Sequence, residues 1–254
     1  MGNKPSKATA NVNANNAYDG ERTTGPDIKE IGIGRSCASS FLTSRGIRNL
    51  PWLEYLLHHH GSTITVEDVC LLVPDLSKAV TCLSERGYLR TSQELSFLRE
   101  SHLSDQVVRL TVPQSNEDKI LLLDSRAWHF GWPSHDPGVP SLNVFLDSLM
   151  ETWLNMSRIE YQDHLEFALY LANLVRDFYR LQDQGLQVKS TGYADQLKIE
   201  HRELHYDIVG GQGEFANSSS HHRNALIYRE IKAGRFSPKP HTVAFRPQLG
   251  TLKE

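Results

Sequence analysis

The chain has 254 residues, with 27 Lys+Arg against 30 Asp+Glu and a formal net charge of -3. Hydrophobic residues make up 39%, enough for one ample domain or two small ones. The near-balanced charge excludes a chain built mainly to coat nucleic acid. No run of roughly 18 apolar residues marks a transmembrane helix, and no apolar stretch near the N-terminus marks a secretory signal. The three cysteines, Cys37, Cys70 and Cys82, are unclustered and fit a reducing compartment better than a disulfide framework.

The chain opens Met1-Gly2-Asn3-Lys4-Pro5-Ser6-Lys7. This fits M-G-x-x-x-[ST], the pattern for N-myristoylation of Gly2 after Met1 is removed. The residue must be glycine because a side chain beside the acylated amine would obstruct the transferase pocket. Residues 3–17 hold no carboxylate and no large apolar side chain. Such a segment cannot offset its ordering entropy and is expected to be disordered. One myristoyl chain binds membranes only marginally, with an association constant on the order of 10⁴ M⁻¹, so a second signal is expected. Lys4 and Lys7 contribute two positive charges for membrane contact. Self-association, which multiplies weak anchors, or a membrane-bound protein partner would supply the rest.

Residues 1–44 read as leader and linker, punctuated by Gly20, Gly25, Pro26, Gly32 and Gly34. Gly32-Ile33-Gly34-Arg35-Ser36 lacks the third glycine and the preceding strand of a phosphate loop. The folded part is expected to begin near Ile47. Trp52, Leu53, Leu56 and Leu57 stand at helical spacing, and Gly61 stops that helix. Thr65 followed by Glu67 and Asp68 predicts a second short helix over 65–72, ended by Pro74. Asp75 predicts the cap of a third helix over 76–86, with Gly87 at its C-terminal end. Residues 107–112 and 119–124 read as two strands turning at 114–118.

Three short helices followed by Gly87-Tyr88-Leu89-Arg90 and a strand pair resemble a winged-helix module. In that family the third helix can enter a DNA major groove. Here that helix would offer Lys78 and Arg86, but Asp75 and Glu85 stand beside them, a poor surface for phosphates. The resemblance therefore implies protein contact rather than nucleic-acid binding.

Residues 125–140 form an aromatic connector with Trp128, Phe130 and Trp132, predicted to be a buried loop anchoring the two halves. Ser141 is expected to cap a helix bearing Leu142, Phe145, Leu146, Leu149, Trp153 and Leu154. Ser157 and Glu160 form a capping box. It is expected to open one long core helix carrying Leu165, Ala168, Leu169, Ala172, Val175 and Tyr179 and ending at Gly185. Beyond it, residues 186–189 and 205–209 read as strands, 217–220 as a loop, and 225–232 as a strand or one helical turn. The tail carries Pro238, Pro240 and Pro247 and reads as extended.

His201-Arg202-Glu203-Leu204-His205 sets two imidazoles four apart, on one face in either a helix or a strand. That is metal-ligand spacing. It departs from H-E-x-x-H because the acid sits two after the first histidine, which misplaces a general base. His221 or His222 would be the third ligand. His58, His59 and His60 end a helix, where cationic rings suit the dipole. Arg35 beside Cys37 would favour a thiolate, but no partner base is placed by the sequence.

The expected fold is α+β and helix-rich. A winged-helix-like half over 45–125 packs on a long helical hairpin plus mixed segment over 126–233, between a disordered leader (1–44) and an extended tail (234–254). The expected function is a non-catalytic, N-myristoylated peripheral adaptor or assembly scaffold, comparable to viral matrix proteins or pathogen effectors. It would sit at the cytoplasmic face of a membrane, contacting lipid through Gly2, Lys4 and Lys7, and it needs no cofactor. The alternatives are a winged-helix binding module using Lys78 and Arg86, and a membrane-targeted transferase or metal-dependent hydrolase centred on His201 and His205.

Overall fold

A computed structural model describes residues 33–66, 69–91, 103–112, 115–134, 139–180, 191–210 and 215–238. Its centre is a five-stranded mixed sheet of β1 (Leu50–Pro51), β2 (Val69–Val73), β3 (Leu89–Arg90), β4 (Val107–Val112) and β5 (Ser115–Asp124), in the order β1-β2-β5-β4-β3. β2 and β5 run parallel, and the remaining pairs are antiparallel. Leu71 and Val73 of β2 and Ile120 and Leu122 of β5 enter one core with Ala38, Leu42, Ala79 and Leu83. Their neighbours Cys70, Leu72, Leu121 and Leu123 enter a larger core on the other face, with Trp52, Leu56, Phe145 and Leu149. A strand buried on both faces needs apolar residues at every position, which is why β2 reads Val-Cys-Leu-Leu-Val without alternation.

That run is also why a helix was expected over 65–72. Thr65, Glu67 and Asp68 imitate a capped first turn, but Val69–Val73 is the second strand of the sheet. A short apolar run has no periodicity to separate strand from helix. With a strand in that place, the three-helix head of a winged-helix module is not present among the described residues. The strand pair was legible: β4 spans residues 107–112 as expected, and β5 contains 119–124 but starts earlier, at Ser115.

One face of the sheet carries α1 (Ile33–Ser44) and α3 (Leu76–Glu85). Residues 33–44, read as linker, are therefore helical, with Ala38 and Leu42 fully buried, so the folded body starts before Ile47. Asp75 caps α3 as expected, accepting from the Lys78 amide, and Gly87 follows at φ 96. The other face carries α2 (Glu54–His59) and the helices α4 (Leu142–Asn155), α5 (Arg158–Asp163) and α6 (Leu165–Arg180). The Ser157–Glu160 capping box forms, but it opens only the six-residue α5. The chain leaves helical geometry at His164 (φ -119, ψ 43) before α6 begins. Ser141 precedes α4 in extended conformation without making a side-chain cap.

The last described segments are helical where strands were expected. A short 3₁₀ turn over Ile199–His201 leads into α7 (Arg202–Val209), and α8 spans Ser218–Lys232. Asn217 caps α8 through the Ser220 amide. His221, Asn224, Ala225, Tyr228 and Ile231 form its buried stripe, at spacings of three and four. The predicted strand over 186–189 and the tail beyond Pro238 lie outside the described residues, as does the leader with Gly2, Lys4 and Lys7. Trp128 and Phe130 of the connector are buried and Trp132 half-buried, as an anchoring loop requires. Among the described residues no helix is long and apolar enough to cross a membrane.

Candidate functional site

α4 is apolar along nearly its whole length, reading LNVFLDSLMETWLN, yet it carries Asp147 and Glu151 one turn apart and buried. A buried carboxylate must be paired or lose its charge. Both find their partner in His201, which the 3₁₀ turn delivers to α4 with no exposed surface. Nδ1 of His201 lies 2.6 Å from Oδ1 of Asp147, and Nε2 lies 2.9 Å from Oε2 of Glu151. Burial alone would drive the proton off this ring. The two carboxylates outweigh it and hold His201 above its ordinary value.

Glu151 serves three elements at once. Its Oε1 accepts from the Tyr228 hydroxyl at 2.5 Å and from Lys232 Nζ at 3.0 Å, both on α8. Its Oε2 also takes Lys198 Nζ at 3.4 Å. Burial would raise this carboxyl, but His201, Tyr228 and Lys232 hold it well below the usual carboxylate range. The Tyr228 hydroxyl is pushed up to about 12, by burial first and then by its bond to Glu151. Lys232 also donates to that hydroxyl at 2.8 Å, and this bond raises its ammonium further. Asp147 accepts the Lys198 amide at 3.1 Å, fixing the approach of the segment that carries His201. The Tyr228 ring lies nearly parallel to His201, with centroids 6.0 Å apart.

His205 does not join this pair. It is also fully buried, but its Nδ1 meets the Tyr179 hydroxyl of α6 at 2.8 Å. The two imidazoles expected to share a metal therefore point to different helices, His201 to α4 and His205 to α6. His221 turns to a third partner, donating from Nε2 to the Trp153 carbonyl at 2.9 Å, with its ring against Trp153 and Tyr161. Burial lowers its tendency to hold a proton. Among the described residues no group of three or more His, Cys, Asp or Glu side chains is placed to hold a metal ion.

The remaining candidates are scattered. Lys78 is exposed on α3, over a shallow depression it shares with Arg45, Asp75 and Glu85. Arg86 closes the same helix, its guanidinium 5.1 Å from the centre of the Phe41 ring. His58 and His59 occupy the last turn of α2, and His60 caps it with Nε2 3.3 Å from the Pro140 carbonyl. Burial lowers the His60 proton affinity. The side chain of Cys37 lies outside the described residues.

The sequence reading found His201 and missed its partners. The signal was present: two acids spaced i, i+4 on an otherwise apolar helix demand a buried counter-charge. Tyr228 and Lys232, also four apart, escaped because 225–232 was read as a strand or single turn.

No protein-family model matches this chain, and no curated protein matches its sequence.

Proposed function

We propose that the protein is an N-myristoylated peripheral membrane adaptor or assembly scaffold, of the kind viral matrix proteins and pathogen effectors provide. It would work without catalysis, at the cytoplasmic face of a membrane. The observation that carries this reading is Met1-Gly2-Asn3-Lys4-Pro5-Ser6, followed by residues free of carboxylates up to Asp19. In this reading Gly2 carries the acyl group, and Lys4 and Lys7 meet anionic headgroups. The folded body, whose described part includes α1 from Ile33, makes protein contacts. Exposed Ile159, Leu165 and Leu169 on α5 and α6 favour such contacts, because helices that otherwise bury their apolar residues present these to solvent. The weakness of a single acyl chain makes a partner or self-association part of the proposal.

The test is Gly2→Ala in cells, followed by membrane fractionation. The variant is expected to move from the membrane to the soluble fraction. An unchanged distribution would overturn the reading.

A second reading is a membrane-targeted enzyme, and one observation favours it. Asp147, Glu151, His201, Tyr228 and Lys232 are titratable groups gathered in one place, four of them with proton affinities displaced from the ordinary value. Against it, His201 has no exposed surface from which to reach a substrate.

A further inference from the structure

We propose that His201 is a proton-operated clasp that docks α7 and α8 onto α4, closed while the imidazole carries both ring protons and loosened when one is lost. The inference does not depend on acylation at Gly2.

A neutral imidazole has one N–H and one lone pair, and an imidazolium has two N–H groups. His201 faces a carboxylate oxygen at each nitrogen, Asp147 at 2.6 Å and Glu151 at 2.9 Å. Nδ1 hydrogen-bonds Asp147, while Nε2 meets Glu151 as an ion pair without hydrogen-bond alignment, so only the imidazolium offers positive charge to both acids. With one proton removed, the ring keeps a single N–H and loses the positive charge that both acids face across 2.6 and 2.9 Å.

The other partners of Glu151 hold it in its ionised form. Glu151 already takes Tyr228, Lys232 and Lys198, all of which favour its ionised form. Asp147 takes the Lys198 amide. The charged and titratable groups facing the ring therefore come from every element around it. α4 supplies Asp147 and Glu151, the incoming segment supplies Lys198, and α8 supplies Tyr228 and Lys232. Behind Asp147 stands Tyr193, buried beside the Tyr179–His205 pair. Loss of the imidazolium charge therefore leaves Asp147 and Glu151 without the cation that stands between them.

The mechanical consequence follows from where these groups sit. His201 is the residue from which α7 springs, and Glu151 ties α8 to α4 through Tyr228 and Lys232. When the ring turns away from either acid, the docking of both helices weakens together. Because the folded state holds His201 above its ordinary value of 6.5, the clasp's contribution is complete below that pH. It is lost as pH rises through the folded value.

The experiment uses the full chain. The ring Cε1–H of His201 is followed by NMR from about pH 5 to pH 10, and amide exchange in α7 and α8 is measured over the same range and corrected for intrinsic rates. The expected result is a His201 titration above 6.5. Across it, α7 and α8 amides should lose protection at least tenfold more than β2 and β5 amides. His201→Gln, which cannot titrate, is expected to remove that pH dependence. If this variant does not fold, the wild-type titration decides alone. A His201 midpoint at or below 6.5, or α7 and α8 protection that does not change across it, would overturn the proposal.

Discussion

The Tyr170 hydroxyl of α6 donates to Glu54 Oε1 of α2 at 2.5 Å, across 116 residues of sequence. This bond ties the helix that follows β1 to the helical layer built by the second half of the chain. It joins the same larger core that runs from Leu50 to Tyr228. A hydrogen bond to a charged acceptor contributes about 1.5–3 kcal/mol when it is shielded from water. Tyr170→Phe keeps the ring and removes only the donor. Chemical denaturation should show a loss of about 1.5–2 kcal/mol, the lower part of that range because the pair is only half-buried.

Leu53 lies between β1 and α2 with φ 56 and ψ -126, fully buried. This backbone region suits glycine and strains a side chain by about 1–3 kcal/mol. Leu53→Ala should lose the burial and keep the strain, whereas Leu53→Gly should lose the burial and relieve it. The account predicts that the glycine variant is the more stable of the two by about 1 kcal/mol, the reverse of the order expected in ordinary helix or strand. Thermal melts of the two variants measure this directly.

The helix starts carry separable contributions. In the α5 capping box Ser157 Oγ accepts the Glu160 amide at 3.1 Å, and Glu160 Oε2 accepts the Ser157 amide at 2.6 Å. Removing an N-cap side chain costs about 1 kcal/mol, whereas replacing it by glycine costs only a few tenths. Ser157→Ala should therefore destabilise the protein more than Ser157→Gly in urea titrations. This element was legible because Ser-x-x-Glu is a local signal. The break at His164 was not legible, since the apolar pattern of α6 runs on from α5 without a proline or glycine to mark it. Likewise β2 was hidden because burial on both faces erases the alternation that identifies a strand, whereas Asp75, Gly87 and the apolar face of α4 are fixed by local chemistry and were read correctly. The groups of this cluster come from three separate stretches of sequence, α4, residues 198–201 and α8, and only the fold brings them together.

Glu151 makes an acid-sensitive contribution to stability. Its folded value is depressed below its ordinary value of 4.5. Its contribution is therefore present above 4.5 and is lost as pH falls through the folded value. Glu151→Gln leaves Lys232 and His201 short of a counter-charge and should cost about 3–5 kcal/mol near pH 6, as expected for breaking a buried ion pair. The gap between wild type and variant should narrow in acid, because below 4.5 the unfolded wild-type chain takes up a proton that the folded carboxyl resists. A gap that stays constant from pH 6 to pH 2 would show that Glu151 acts through shape alone.

The proposed function rests on one covalent event at the second residue. The most direct measurement is the intact mass, with a fragment spectrum of the N-terminal peptide, of the mature chain from eukaryotic cells. The account predicts loss of Met1 and one myristoyl group in amide linkage to Gly2. A chain that keeps Met1, or one that begins with an unmodified Gly2 amine, would contradict it.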